Sequence, residues 1–137
     1  MASRLPMTHD EYVGLDATGL AELVRRREVT ADELLDLALA RVEALDPTIN
    51  AVVRLMEEDA RSAARATAAR IAESGGAGGS AERGVPFPGV PFLAKDLVST
   101  YAGHPTSAGS RYLAHVPAES DSELAIRVVE QLRRWES

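Results

Sequence analysis

Along the first half of the chain the apolar residues recur at helical spacing. Leu20, Leu23 and Val24 share one face, and Asp16 stands where an N-cap belongs, so the pattern predicts a helix from Asp16 to Arg27. Residues 1–15 ahead of it read as a loose lead-in. Thr30-Ala31-Asp32-Glu33 is a capping box: the threonine hydroxyl takes the N3 amide and Glu33 reaches back. The helix it opens carries Leu34, Leu35, Ala38, Leu39, Val42 and Leu45 on a broad stripe. It is expected to stop at Asp46-Pro47, because the residue before proline avoids the helical region. Asn50 to Leu55 reads as a short extended segment. A third helix is predicted from Glu57 to Glu73. Its face of Ala60, Ala63, Ala64, Thr67, Ala68 and Ile71 is small, so it buries little area and calls for a close neighbour.

The pattern then breaks at Gly75-Gly76-Ala77-Gly78-Gly79-Ser80. A phosphate-cradling loop needs its glycines between a strand and a helix N-terminus, with a lysine and a hydroxyl following. Here the glycines follow a helix and none opens after them, so a flexible linker is the better reading. Gly89-Val90-Pro91-Phe92-Leu93-Ala94-Lys95-Asp96-Leu97-Val98 has the apolar density of a buried strand. Strand alternation puts Leu93, Lys95 and Leu97 on one face and Phe92, Ala94, Asp96 and Val98 on the other, so both charges fall among apolar neighbours. An ammonium buried without a partner is driven toward its neutral form, which is a usable general base. The alternative stays open at this point: a Lys-Asp pair at a strand end also marks an exit to solvent, with the lysine stem snorkelling. Ser99 to Arg111 reads as a loop rich in small hydroxyl residues. Ser120-Asp121-Ser122-Glu123 reads as a second capping box, opening a helix with Leu124, Val128, Leu132 and Trp135 on its stripe.

Composition narrows the function classes. With 137 residues, 45% hydrophobic and 26% charged, the chain is long enough for one modest core and ordinary for a globular protein. A formal net charge of -6 argues against a nucleic-acid partner, which needs a clustered basic surface. The one basic run, Arg25-Arg26-Arg27, is read as a solvated helix end favoured by the dipole. The absence of cysteine excludes disulfides, zinc thiolates and cysteine nucleophiles, and fits a cytoplasmic protein. No signal-peptide core or membrane-span run occurs. His9, His104 and His115 lack metal-ligand spacing and read as surface or loop residues, so no metal site is expected from them.

One strand and one further extended segment do not make a parallel sheet, and the stripe of the last helix runs almost to Ser137. The expected fold class is therefore α/β and incomplete. It comprises N-terminal helices (16–74), a glycine-rich linker (75–88), and a lysine strand, loop and helix (89–137).

Several pieces, in order, resemble the N-terminal part of the amidase signature family. They are Leu20 to Arg25, Thr30 to Leu35, Arg41 to Pro47 with Asn50-Ala51-Val52, and above all Gly89 to Asp96. Thr106-Ser107-Ala108-Gly109-Ser110-Arg111 and Asp121-Ser122-Glu123-Leu124 follow. The resemblance implies a large mixed-sheet α/β domain that hydrolyses or transfers carboxamides with a serine, cis-serine and lysine triad. It places Lys95 at the triad lysine, taking a proton through the bridging serine so that the second serine attacks the carbonyl. It gives Asp96 a supporting or packing role and implies neither a metal nor an organic cofactor.

In that family both triad serines lie in a glycine- and serine-rich segment downstream of the last helix. Nothing in Trp135 to Ser137 matches it, and Ser99, Ser107, Ser110, Ser120 and Ser122 stand in the wrong segments. The expectation is a truncated amidase that is inactive alone. The alternative is a non-catalytic binding module or subunit completed by another chain. A Schiff-base role for Lys95 is the remotest of the three readings.

Overall fold

The computed structural model describes residues 6–73 and 86–133. Among these, five α-helices form: α1 (His9–Gly14), α2 (Ala17–Arg25), α3 (Ala31–Ile49), α4 (Glu57–Glu73) and α5 (Glu123–Arg133). The described residues fall into two compact units, one reaching to Pro91 and the other starting at Phe92.

The first unit is a helical bundle. Three of its helices open on caps that can be traced to side chains. Asp16 Oδ1 accepts from the Gly19 amide at 2.8 Å and starts α2. Thr30 and Glu33 form the expected reciprocal box at the start of α3. Thr8 and Glu11 form another at α1, inside the stretch expected to be a loose lead-in. The Thr8-His9-Asp10-Glu11 spacing carried that signal.

α3 packs against both α1 and α4. The core gathers Leu20, Val24, Val29, Leu34, Leu37 and Ile71, with Met7, Tyr12, Leu23 and Val90 closing its edge. Leu34 and Leu37 are fully buried, each stabilising by about 2 kcal/mol at the usual value of buried apolar surface. α3 buries its N-terminal half only; Leu45 and Ile49 remain exposed. The small face of α4 is narrower than expected: Ala64, Thr67 and Ile71 are buried, while Ala63 and Ala68 are exposed.

α3 does not stop at Asp46-Pro47. Pro47 lies inside its last turn and the helix runs on to Ile49. The bias against a helical residue before proline is outweighed by local capping. Asn50 takes a left-handed conformation and donates its amide to the Asp46 carbonyl at 2.6 Å. Asp46 Oδ1 accepts the next two amides, from Ala51 at 2.7 Å and Val52 at 2.8 Å. Residues 51–56 have no regular structure, so the short extended segment forms no ladder.

The basic run is also more engaged than a solvated helix end. Arg27, itself left-handed, donates to the Ile71 carbonyl in the last turn of α4 at 2.7 Å, and Arg25 donates to the Pro86 carbonyl at 2.8 Å. Arg61 on α4 meets Asp36 at 2.8 Å and Glu57 at 2.9 Å, tying α4 to α3. Those two hydrogen bonds, Asp36 first, raise its pKa further. Most of the expected linker, 75–85, lies outside the described residues; Pro88 beyond it is buried and leads to Gly89 on α3.

The second unit departs most from expectation. No β-strand forms among the described residues, which hold only two isolated bridges, Ala102 with Ala118 and Pro105 with Pro117. The expected lysine strand is instead a segment without regular structure or ladder partners, and it is largely exposed, with Leu93 at 75% and Val98 at 73%. The hydrophobic run is present, but a strand needs a neighbour to satisfy its amides and cover its faces. The described chain is thus helix-rich, which is compatible with part of an α/β domain.

The final helix opens two residues later than the sequence suggests. Ser122, not Ser120, is its cap: Ser122 Oγ accepts from the Ala125 amide at 3.2 Å. Ser120 uses its carbonyl to receive the Thr100 hydroxyl. Ser122 also reaches back, taking the Thr100 amide at 3.1 Å while its own amide meets the Thr100 carbonyl at 3.0 Å. Asp121 adds a bond from the Ala102 amide at 2.7 Å. The 99–106 stretch is thereby fastened to the start of α5 by polar contacts rather than by a core.

Candidate functional site

Lys95 is the only lysine of the chain. It stands at the end of an irregular stretch, immediately before the chain turns at 96–98, and its side chain is exposed. The apolar burial expected around it is therefore not present: Leu93, expected on its face, is largely exposed, as are Phe92 and Leu97. Lys95 forms no ion pair among the described residues.

Asp96, next in sequence, faces inward and is half-buried. Its carboxylate holds one residue at both ends: Oδ1 accepts the Ser107 amide at 2.7 Å, and Oδ2 accepts the Ser107 hydroxyl. Ser107 begins a tight turn, in which the Ser110 amide returns to the Ser107 carbonyl at 2.7 Å. Its central residues, Ala108 and Gly109, both have positive φ, as a type I′ turn requires. Ser107 Oγ also accepts from the Gly109 amide at 3.3 Å, so its orientation is fixed from two sides. The Thr106 hydroxyl donates to the Ser99 carbonyl at 3.2 Å, and Ser99 is buried.

Between these two fastenings lies Val98 with φ of 72°. A β-branched residue pays about 1–3 kcal/mol for such a conformation, and it persists only where neighbours over-determine it. Val98 is 73% exposed, so burial of its own side chain does not offset that cost. Hydrogen bonds at Asp96 and at Ser99 stand on either side of it.

Of the residues singled out from sequence, Lys95 and Asp96 lie on this segment, and the loop with Ser107 is brought against Asp96. The Ser107 hydroxyl donates to the Asp96 carboxylate and accepts from the Gly109 amide, while the Ser122 hydroxyl accepts from the Ala125 and Thr100 amides. What sequence reasoning missed is that Ser107 is the partner of Asp96. No local spacing signals a contact across eleven residues; only the hydroxyl-rich composition of the loop pointed toward hydrogen bonding. No group of three His, Asp or Glu side chains placed to hold a metal occurs among the described residues. None of the helices described is long and apolar enough to cross a membrane.

Comparison with known proteins places this segment in context. The Amidase family model matches residues 33–134, which include Lys95, Asp96 and the Ser107 loop. A glutamyl-tRNA(Gln) amidotransferase subunit from Acidothermus cellulolyticus is 38% identical over 97 residues, covering 71% of this chain and 18% of its own. Lipoamidase of Enterococcus faecalis is 36% identical over 103 residues, 75% of this chain and 12% of its own. The 6-aminohexanoate-cyclic-dimer hydrolase of a Pseudomonas species is 42% identical over 88 residues, 64% of this chain and 15% of its own. The chain thus spans less than a fifth of the length of these relatives. No solved structure gives a significant match.

Proposed function

The chain belongs to the amidase family, and from that premise we propose that it carries the lysine portion of a carboxamide hydrolase, with Lys95 as the proton acceptor of a serine, cis-serine and lysine triad. The observation that carries this reading is the family match running through the Gly89 to Asp96 segment and the loop that Asp96 holds. The three relatives are named for different substrates, yet each name denotes chemistry at an amide or amide-forming centre. That supports the carboxamide class and assigns no individual substrate.

In this reading the lysine amine takes a proton from the bridging serine, which takes one from the attacking serine, whose oxygen then adds to the carbonyl carbon. On the same reading, both serines and the oxyanion donors come from outside these 137 residues, because the serines within them stand in other segments, the Ser107 hydroxyl is engaged with Asp96 and the Ser122 hydroxyl caps α5. As a separate polypeptide the 137 residues are therefore expected not to turn over amides. The test is an assay of the purified chain against simple aryl and aliphatic amides. Hydrolysis that disappears in Lys95→Ala would overturn the inactivity.

The exposure of Phe92, Leu93, Leu97 and Val98 favours a second reading, in which the chain works as a non-catalytic subunit or binding module completed by another polypeptide. One relative is itself named as part of a multi-chain amidotransferase. A reducing, cytoplasmic setting is in keeping with the lack of cysteine.

A further inference from the structure

The Asp96–Ser107 bonds have a role that neither the helix caps nor the core requires. Asp96 follows Lys95 directly, and two residues later Val98 sits at φ of 72° with an exposed side chain. Left to itself a valine there would return to negative φ and swing the preceding residues with it, since a change at one backbone dihedral redirects the chain on that side. Two fastenings resist that relaxation. Asp96 grips the amide and hydroxyl of Ser107 ahead of the strained residue, and the Ser99 carbonyl receives the Thr106 hydroxyl behind it. The adjacent residues 106 and 107 thus hold both ends of the 96–99 turn. The Ser107 to Ser110 turn makes that anchor stiff.

We propose that Asp96 is a positioning residue for Lys95: with Ser107 it clamps a strained turn, and the clamp fixes the direction in which the lysine leaves the backbone. This rests on the reading of Lys95 as the functional base, but the clamp itself is measurable without catalysis. The lysine segment has no ladder of its own to orient it among the described residues, so the turn that follows it is what sets its course. A carboxylate suits the task, because one residue can accept from an amide and a hydroxyl at once.

The experiment uses the full 137-residue chain labelled with 15N and 13C. The Cα and Hα shifts of Val98 report the sign of its φ, and the Lys95 amide reports the order of the segment by its heteronuclear relaxation. The expected result is that Asp96→Asn and Ser107→Ala each return Val98 to negative-φ shifts and lower the order of the Lys95 amide, while helix α2 signals stay in place. Adding Val98→Gly, which tolerates positive φ without strain, should restore the order of Lys95 in the Asp96→Asn background. Ser107→Thr, which keeps the hydroxyl, should behave as the native chain.

Unchanged Val98 and Lys95 signals in both Asp96→Asn and Ser107→Ala would overturn the proposal. So would loss of order that Val98→Gly fails to recover, which marks Asp96 as a stabiliser of the unit as a whole. If the clamp is found but Lys95 proves dispensable for hydrolysis in a completed enzyme, the functional reading fails and the clamp stands.

Discussion

Gly89 lies so close to the first residue of α3 that a Cβ on it would stand 2.7 Å from Ala31 Cβ. Its φ of 71° adds a second reason for glycine, because a side chain is strained there whatever the space. Val24 Cγ1 would also be met at 3.3 Å. The approach brings the chain beyond the 75–85 stretch back onto the core, where Val90 closes the edge beside Val24 and Leu34. Gly89→Ala should therefore lower the stability of the first unit by about 2–4 kcal/mol, combining left-handed strain with overpacking. Urea unfolding followed by helical circular dichroism checks this; a midpoint equal to that of the native chain would show that the backbone shifts freely there.

The Thr30–Glu33 box can be weighed separately. Thr30→Ala removes the acceptor for the Glu33 amide, at 3.2 Å, and the hydroxyl partner of the Glu33 carboxylate, and a lost cap costs about 1 kcal/mol. α3 packs against both α1 and α4, so the loss should appear as a lower midpoint for the unit rather than as local fraying. Amide exchange confined to the first turn of α3, with the midpoint preserved, would contradict that coupling.

Helix α1 should respond to pH at both ends of the range. The Thr8 amide, and then its hydroxyl, hold the Glu11 carboxyl below its ordinary value. A depressed acid lends stability that is present above its unfolded pKa near 4.5 and is lost as pH falls through the lower folded value. Tyr12 is shifted the other way: burial raises its phenol above 10, against a smaller opposing effect of Arg41. That stability is present below pH 10 and lost as pH rises through the folded value. Exchange of the Thr8 amide should be most protected between these limits, and Glu11→Gln should remove the acid-side change. An acid-side change that persists in Glu11→Gln would place its origin elsewhere.

Ser122 joins the cap of α5 to the 99–106 stretch through one hydroxyl. Ser122→Ala should cost about 1 kcal/mol and speed exchange at both the Ala125 and the Thr100 amides, whereas an ordinary cap would affect the first alone. Protection at Thr100 equal to that of the native chain would show that the shared hydroxyl does not couple them.

The contrast between what was legible and what was not follows from where each structure gets its reasons. Thr30 to Glu33, Asp16 and the bounds of α4 were readable because caps and alanine-rich faces are local. The same rule applied to Thr8 and Glu11 would have found α1. Pro47 misled because its bias acts on one residue, while Asp46 and Asn50 close the helix two residues later through contacts that spacing does not reveal. Ser120 has the spacing of a cap, although the hydroxyl two residues later serves as one. The lysine segment misled for a different reason. Its apolar density describes a strand that needs partners, and among the described residues there are none, so Leu93 and Val98 lie exposed. The residues of the candidate site were legible as a motif. The Asp96–Ser107 contact was not, since it joins residues eleven apart through a turn.

If Lys95 is a triad base, its serines come from outside these 137 residues. The most direct measurement is aryl-amide hydrolysis by the chain alone and by the chain mixed with a polypeptide spanning the remainder of a related amidase domain, each with Lys95 and with Lys95→Ala. No turnover is expected from the chain alone, and turnover in the mixture should fall by at least about a thousandfold in Lys95→Ala, the scale of losing a catalytic base acting in a unit. Turnover by the chain alone that needs Lys95, or turnover in the mixture indifferent to Lys95→Ala, would contradict it.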